Sequence, residues 1–321
     1  MKDIKELIFQ PTSMLDIINI MDKASFLEFS TDKPGNIGPN QILKGISFKS
    51  LKNVSNEIKK ANINYLLDKS NEISFGKFIY NAVKTMMEIP PHENLLLGHI
   101  LLYSPFVFVS KKIVESSKDS KIRKWENFWD VTEKIINSTS VPDGIWLTRA
   151  IKLSKAGGLK NPGGKPLESF YNILDPEIEQ KIGENNKTLK DLFVESSNFD
   201  IIARQYRDNF IFCRNLIKNW VIPEIDNFKS KSELILAIFL KILSLEPDSL
   251  IFRKNNLATA LKIQKKAQKI QKHKMKQTRI GNRLIFKLNN YLNIKNGRLN
   301  PGTTADLTAV VIFLCISFGI F

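Results

Sequence analysis

Residues 299–307 read LNPGTTADL and run directly into an uncharged tail, TAVVIFLCISFGIF. Asn300, Pro301 and Gly302 spell a turn, Thr303 is the type of residue that caps a helix, and Asp306 stands three residues on, the spacing of a capping box. A helix opening this way offers free backbone N–H groups, two threonine hydroxyls and one carboxylate at the positive end of its dipole. That set suits phosphate and Mg²⁺ together. The same spacing also serves an aspartate that only caps, so both readings of Asp306 stand.

A second carboxylate draws attention for a different reason. Met14, Ile17, Ile18 and Met21 share one helical face behind Ser13 as N-cap, and that face continues through Ser25 to Glu28. Glu28 therefore points inward, where a carboxylate is costly unless paired or bound to a cation. Lys33-Pro34-Gly35 should stop this helix and leave Lys33 and Asn36 at the edge of a loop.

Four segments then fall into a pattern: residues 26–40 (FLEFSTDKPGNIGPN), 201–206 (IIARQY), 247–254 (PDSLIFRK) and LNPGTTADL. In this order and spacing they resemble the triphosphoribosyl-dephospho-CoA synthase family, more closely its archaeal branch than its bacterial one. Residues 93–106 (ENLLLGHILLYSPF) and 142–159 (PDGIWLTRAIKLSKAGGL) are weaker echoes. The resemblance implies an all-helical enzyme that joins ATP to 3′-dephospho-CoA and releases adenine, making a prosthetic-group precursor for citrate- and malonate-decarboxylating systems. Where the family usually has Asn-Thr before its Leu-Gly helix, this chain has Asn94-Leu95, and Lys160 with the insert NPGGKP follows Gly157-Gly158-Leu159. Those departures bear on the acceptor substrate.

The implied reaction, attack of a ribose hydroxyl on the anomeric carbon of ATP, passes through an oxocarbenium-like state and needs carboxylates. Glu28, Asp248 and Asp306 are assigned to it collectively, Glu28 as favoured base and Asp306, with Asp248, as Mg²⁺ ligand. Lys33, Arg204, Arg253 and Lys254 would neutralise phosphates, and Asn36, Asn300, Gly302, Thr303 and Thr304 would contact ribose or phosphate oxygens. Arg204 has an alternative as the partner of an acidic residue.

Length and composition set the frame. The chain has 321 residues, 43% hydrophobic and 10% aromatic, enough for a large core. Two cysteines, Cys213 and Cys315, lie far apart without a CxxC or Cys/His cluster, so neither a disulfide framework nor a zinc site is indicated, and a cytoplasmic protein is expected. His92, His99 and His273 show no metal spacing and read as structural or exposed. No phosphate loop, dinucleotide fingerprint or nucleophile elbow occurs, which argues against a kinase, a dehydrogenase and a serine hydrolase.

Net charge is +16, and residues 249–305 carry 14 basic and no acidic residues. Within that block Leu257, Ala260, Leu261, Ile263, Ala267 and Ile270 keep a helical period among lysines. The block reads as a solvated face, as a field that attracts polyanionic substrates, or as a nucleic-acid surface; the last is disfavoured by the lack of interleaved aromatics. The tail from 307 onward is short for a membrane span and is expected as a buried core helix.

The fold class expected is all-α, one large helical domain over 1–321, with helices at 48–69, 74–87, 94–117, 121–137, 143–155, 188–222, 230–245, 255–275, 278–292 and 303–320. Residues 156–187 read as a loop or lid. The expected partners are ATP and dephospho-CoA or a related nucleotide, with no membrane. An enzyme of the same fold acting on another nucleotide or phosphosugar, and a non-catalytic nucleotide- or nucleic-acid-binding protein, are the rival functions. Inward carboxylates favour chemistry, because a pure polyanion binder gains nothing from burying negative charge.

Overall fold

A capping box opens the first helix where the sequence places it. Ser13 Oγ accepts from Asp16 N at 3.1 Å, and Asp16 Oδ2 accepts in return from Ser13 N at 2.9 Å. The same reciprocal device recurs at Ser140/Asp143 and Thr188/Asp191. In the computed structural model of the protein, residues 4–68, 73–116, 120–157, 172–273, 278–294 and 297–321 are described.

The helices in chain order are α1 (Met14–Phe29), α2 (Phe48–Leu67), α3 (Phe75–Glu88), α4 (Leu97–Glu115), α5 (Trp125–Asn137), α6 (Val141–Ser154), α7 (Ile178–Glu184) and α8 (Leu189–Ser196). There follow α9 (Ile201–Arg207), α10 (Ile211–Leu216), α11 (Ile222–Glu224), α12 (Lys231–Leu245), α13 (Ser249–Lys254), α14 (Leu257–Lys272), α15 (Arg279–Asn293) and α16 (Gly302–Ser317). Among the described residues there is no strand, only isolated bridges such as Gly38 with Gln41 and Leu43 with Ile46. The all-α expectation holds.

The organising element is α16. It packs against α1, α4 and α12, and nearly every residue from Thr303 to Ser317 is buried. A helix apolar on all sides must be enclosed, which explains why the tail lacks a polar face. Phe313 stacks on Phe106 of α4 with ring centroids 5.7 Å apart and meets Tyr103 at 5.3 Å. By length and composition α4 could cross a membrane, yet 72% of its apolar window is buried inside the fold. A second apolar cluster joins α12, α13, α14 and α15, with Leu299 and Ala305 reaching into it from the α16 entry.

Three expectations need correction. The single helix over 188–222 is broken twice. Asp200 caps α9 by accepting from Ile202 N at 2.8 Å, and Asn209 and Phe210 adopt left-handed backbone, φ +49° and +59°, before α10. A π-helical turn, Ile217–Val221, then links α10 to α11. Residues 249–254, left without a helix, form α13. Of the 156–187 segment, residues 158–171, with Lys160 and the NPGGKP insert, lie outside the described residues, while 178–184 are helical and tied down by a double Arg149–Glu179 contact.

Candidate active site

Asp306 is not a cap. α16 starts at Gly302 with Pro301 as N-cap and no side-chain cap bond, so the capping box expected from Thr303 and Asp306 does not form. Thr303 Oγ1 instead accepts from Leu250 N and Ser249 Oγ, both at 3.1 Å. The helix start is held by Asp248. Its Oδ1 accepts from Ile251 N at 2.9 Å, capping α13, while its Oδ2 accepts from Thr304 N at 2.8 Å and Thr304 Oγ1 at 2.9 Å. One buried carboxylate thus satisfies the orphan N–H groups of two helices and locks them together.

Freed from capping, the Asp306 carboxylate turns toward α4. It lies directly over Gly98, where an added Cβ would sit 2.1 Å from its Cγ, so only glycine leaves room for it. Across the same gap stands Glu28 from α1. His99 Nε2 is 3.7 Å from Glu28 Oε2 and 3.6 Å from Asp306 Oδ1. The ring is held from behind by Ser25 Oγ, 3.0 Å from Nδ1, which in turn lies 3.2 Å from the Tyr103 hydroxyl.

Lys33 is not at a loop edge. It is 2% exposed, folds back under the end of α1 and donates to the Glu28 and Thr31 carbonyls at 2.5 and 2.7 Å. Its ammonium also forms an ion pair with Glu28 Oε1 at 3.0 Å. Burial raises the Glu28 carboxyl against the pull of Lys33. Asp306 is pushed well above the usual carboxylate range, first by burial and then by Glu28, Asp248 and Asp200. Burial, with the Lys33 charge, pushes His99 down to about 3, so its ring is neutral. A neutral imidazole between two carboxylates that resist ionisation describes a site short of one positive charge.

These groups form one wall of a cleft of about 400 Å³, within the usual size range of ligand sites. Asn36, Arg253, Lys254, Asn300, Gly302 and Thr303 line it with Glu28 and Asp306, so most of the expected residues converge although they come from both ends of the chain. Arg253 pairs with Asp200, which also borders the cleft. Asn300 Oδ1 is buried with no hydrogen-bond partner among the described residues, as expected of an acceptor reserved for a ligand hydroxyl. Leu147, Ile151, Ile182, Leu192, Phe193 and Ile202 add apolar lining to the same cleft.

Four expected residues are elsewhere. Asp248 and Thr304 lie behind the α16 start, Lys33 lies behind Glu28, and Arg204 points to Glu246 at 2.9 Å, the acidic-partner alternative. Lys44, Gly98, His99 and Asp200 belong to the cleft and were not singled out by sequence. His92 and His273 are outside it, so only His99 departs from the reading of all three as structural or exposed. Among the described residues no three His, Cys, Asp or Glu side chains form a metal cluster.

A sequence model of the CitG family, ATP:dephospho-CoA triphosphoribosyl transferase, matches residues 14–318. No curated protein sequence matches the chain. A crystal structure from Archaeoglobus fulgidus, provisionally named a triphosphoribosyl-dephospho-CoA synthase, superposes with a TM-score of 0.58 at 21% identity, covering 83% of this chain and 98% of that one. At that identity the likeness speaks for the fold alone. The family match takes in every helix that builds the cleft, from α1 to α16, and on it the chain belongs to the ATP:dephospho-CoA triphosphoribosyl transferase family.

Proposed function

We propose that this cleft transfers the triphosphoribosyl group of ATP to the ribose 2′-hydroxyl of dephospho-CoA. The acceptor oxygen bonds to the anomeric carbon as the bond to adenine breaks. Adenine leaves with that electron pair and takes up a proton, and the hydroxyl proton passes to the enzyme. The observation that carries the reading is the convergence of Glu28 and Asp306 on either side of His99 at the cleft wall, in a chain of this family.

Glu28 acts as the base. Its raised pKa brings it nearer to working pH, where a carboxylate is a more effective proton acceptor, and Lys33 keeps it ionisable despite burial. Negative charge on this wall also favours the cationic character that develops at the sugar. Asn300, with its unpartnered carbonyl oxygen, accepts from a ribose hydroxyl.

Mg²⁺ fits Asp306. That carboxylate has no hydrogen-bond donor among the described residues, is 21% exposed and faces the cleft, and Mg²⁺ typically takes one or two carboxylates plus substrate phosphates. Bound there, the ion would neutralise triphosphate charge. Asp248 suits the ion less well, because both its oxygens already serve helix starts. The buried cysteines and the expected reducing compartment are consistent with a cytoplasmic enzyme.

Purified protein incubated with ATP, Mg²⁺ and dephospho-CoA should release adenine in step with a mass gain on the acceptor. Adenine release that ignores the acceptor, or none with ATP, would sink the proposal. A second reading, another nucleotide as acceptor, is favoured by Leu95, whose apolar side chain lines the cleft where relatives usually carry threonine. Running the assay with a panel of nucleotide acceptors separates the two.

A further inference from the structure

Residues 37–46 form a short loop that borders the cleft through Ile37, Leu43, Lys44 and Ile46 and ends in a tight turn. Leu43 and Ile46 exchange both backbone hydrogen bonds, 3.1 and 2.9 Å, and the two residues between them are left-handed: Lys44 at φ +52° and Gly45 at φ +80°. This is the geometry of a two-residue turn of type I′, whose first position suits asparagine, aspartate or glycine. Lysine there is strained, and strain of this kind persists where the surroundings put the residue to use.

Its side chain gives the reason. Lys44 lines the cleft together with Lys254 and Arg253. Gly297 packs against the Lys44 stem and Gly157 against the Lys254 stem, an added Cβ falling 3.1 Å from each Cε, so both arms lie along bare backbone. Arg253 is already paired with Asp200, whereas neither lysine has an ion-pair partner among the described residues and the Asp248 carboxylate acts on Lys254 only from a distance. Burial, and then the Lys44 charge, push the Lys254 ammonium down. Two neighbouring cations that border the cleft without an ion-pair partner form a site complementary to an anion with several charges.

We infer that the 43–46 turn is a polyphosphate clamp, in which Lys44 and Lys254 grip the triphosphate of the nucleotide from opposite lips of the cleft. The inference rests on the proposed nucleotide substrate and adds to it the group that holds the phosphates and the loop that supplies it. Lys44 binds as a point charge, so the clamp recognises chain length and charge rather than the sugar or base. The turn thereby trades backbone comfort for affinity.

Inorganic tripolyphosphate is the probe, titrated calorimetrically into the full chain. Lys44→Asn and Lys254→Gln should each weaken its binding by about tenfold or more, the usual worth of a charged contact. Lys265→Gln, on the outer face of α14, should leave it within about twofold. Lys44→Asn should melt no lower than the parent, because asparagine is at ease in left-handed backbone. Lys44→Arg keeps the charge and should keep the binding. Unchanged affinity in Lys44→Asn, or loss of affinity in Lys44→Arg, overturns the clamp. Failure of the parent to bind tripolyphosphate while it still releases adenine from ATP overturns the clamp and leaves the proposed reaction standing.

Discussion

Replacing Gly98 by alanine tests the site without touching a charged group. In an ordinary helix the change stabilises by about 0.5–1 kcal/mol. Here the new Cβ falls 2.1 Å from the Asp306 Cγ and must drive the carboxylate out. The expected result is a folded protein whose kcat/KM drops by about 100-fold, the scale of a lost acid–base or charge-stabilising group; full activity would show that Asp306 is idle. Asp306→Asn sharpens the point through pH. A carboxyl whose pKa is raised on folding binds its proton more tightly in the native state, so stability falls as pH rises through the window from its ordinary value, 3.8, upward. The amide removes that penalty, and the variant should melt at or above the parent at neutral pH while losing adenine release. Equal losses of stability and activity would mean the residue is structural. Glu28 was legible in sequence because it continues an apolar stripe. His99 was not, because its partners come from helices distant in sequence and no spacing rule links them.

At the level of elements, the α13 and α16 starts depend on one side chain. Asp248→Asn keeps an acceptor for Ile251 N but turns an amide N–H toward Thr304 N, leaving a buried donor unpaired, at a cost of about 1–3 kcal/mol. The expected outcome is a lower melting temperature, with activity falling only as far as the α16 start shifts. Activity lost with the melting curve unchanged would return Asp248 to the role of metal ligand. The helix positions were readable where local rules suffice, as in the Ser13 N-cap of α1 and the enclosed apolar α16. They were misread where a cap is borrowed from afar: α16 looked as if it capped itself through Thr303 and Asp306, and the cap that forms comes from the α13 entry. The 188–222 break was hidden for a related reason, since Asn209 and Phe210 sit within an apolar period that continues on both sides of their left-handed turn.

Over the whole molecule, the basic block divides by depth. Ala260, Ile263, Ala267 and Ile270 of α14 are buried against the second cluster, as their period predicts, whereas Leu257 and Leu261 are 49% and 38% exposed. Lys265, Lys269 and Lys272 face solvent, while Lys266 lies over the Tyr291 ring at 4.7 Å and so also packs α14 to α15. None of these four lines the catalytic cleft. Their effect on a polyanionic substrate must therefore travel through the field, which is screened over about 8 Å at physiological ionic strength. Changing Lys265, Lys269 and Lys272 to glutamine should leave kcat nearly unchanged and lower kcat/KM by a few-fold at low salt, with the difference closing as salt rises. Adding Lys266→Gln should cost stability as well, through the lost ring contact. A collapse of kcat in the triple variant would mean the block reaches the reacting groups directly, and tight salt-dependent binding of the parent protein to RNA without adenine release would assign the block to a nucleic-acid partner instead.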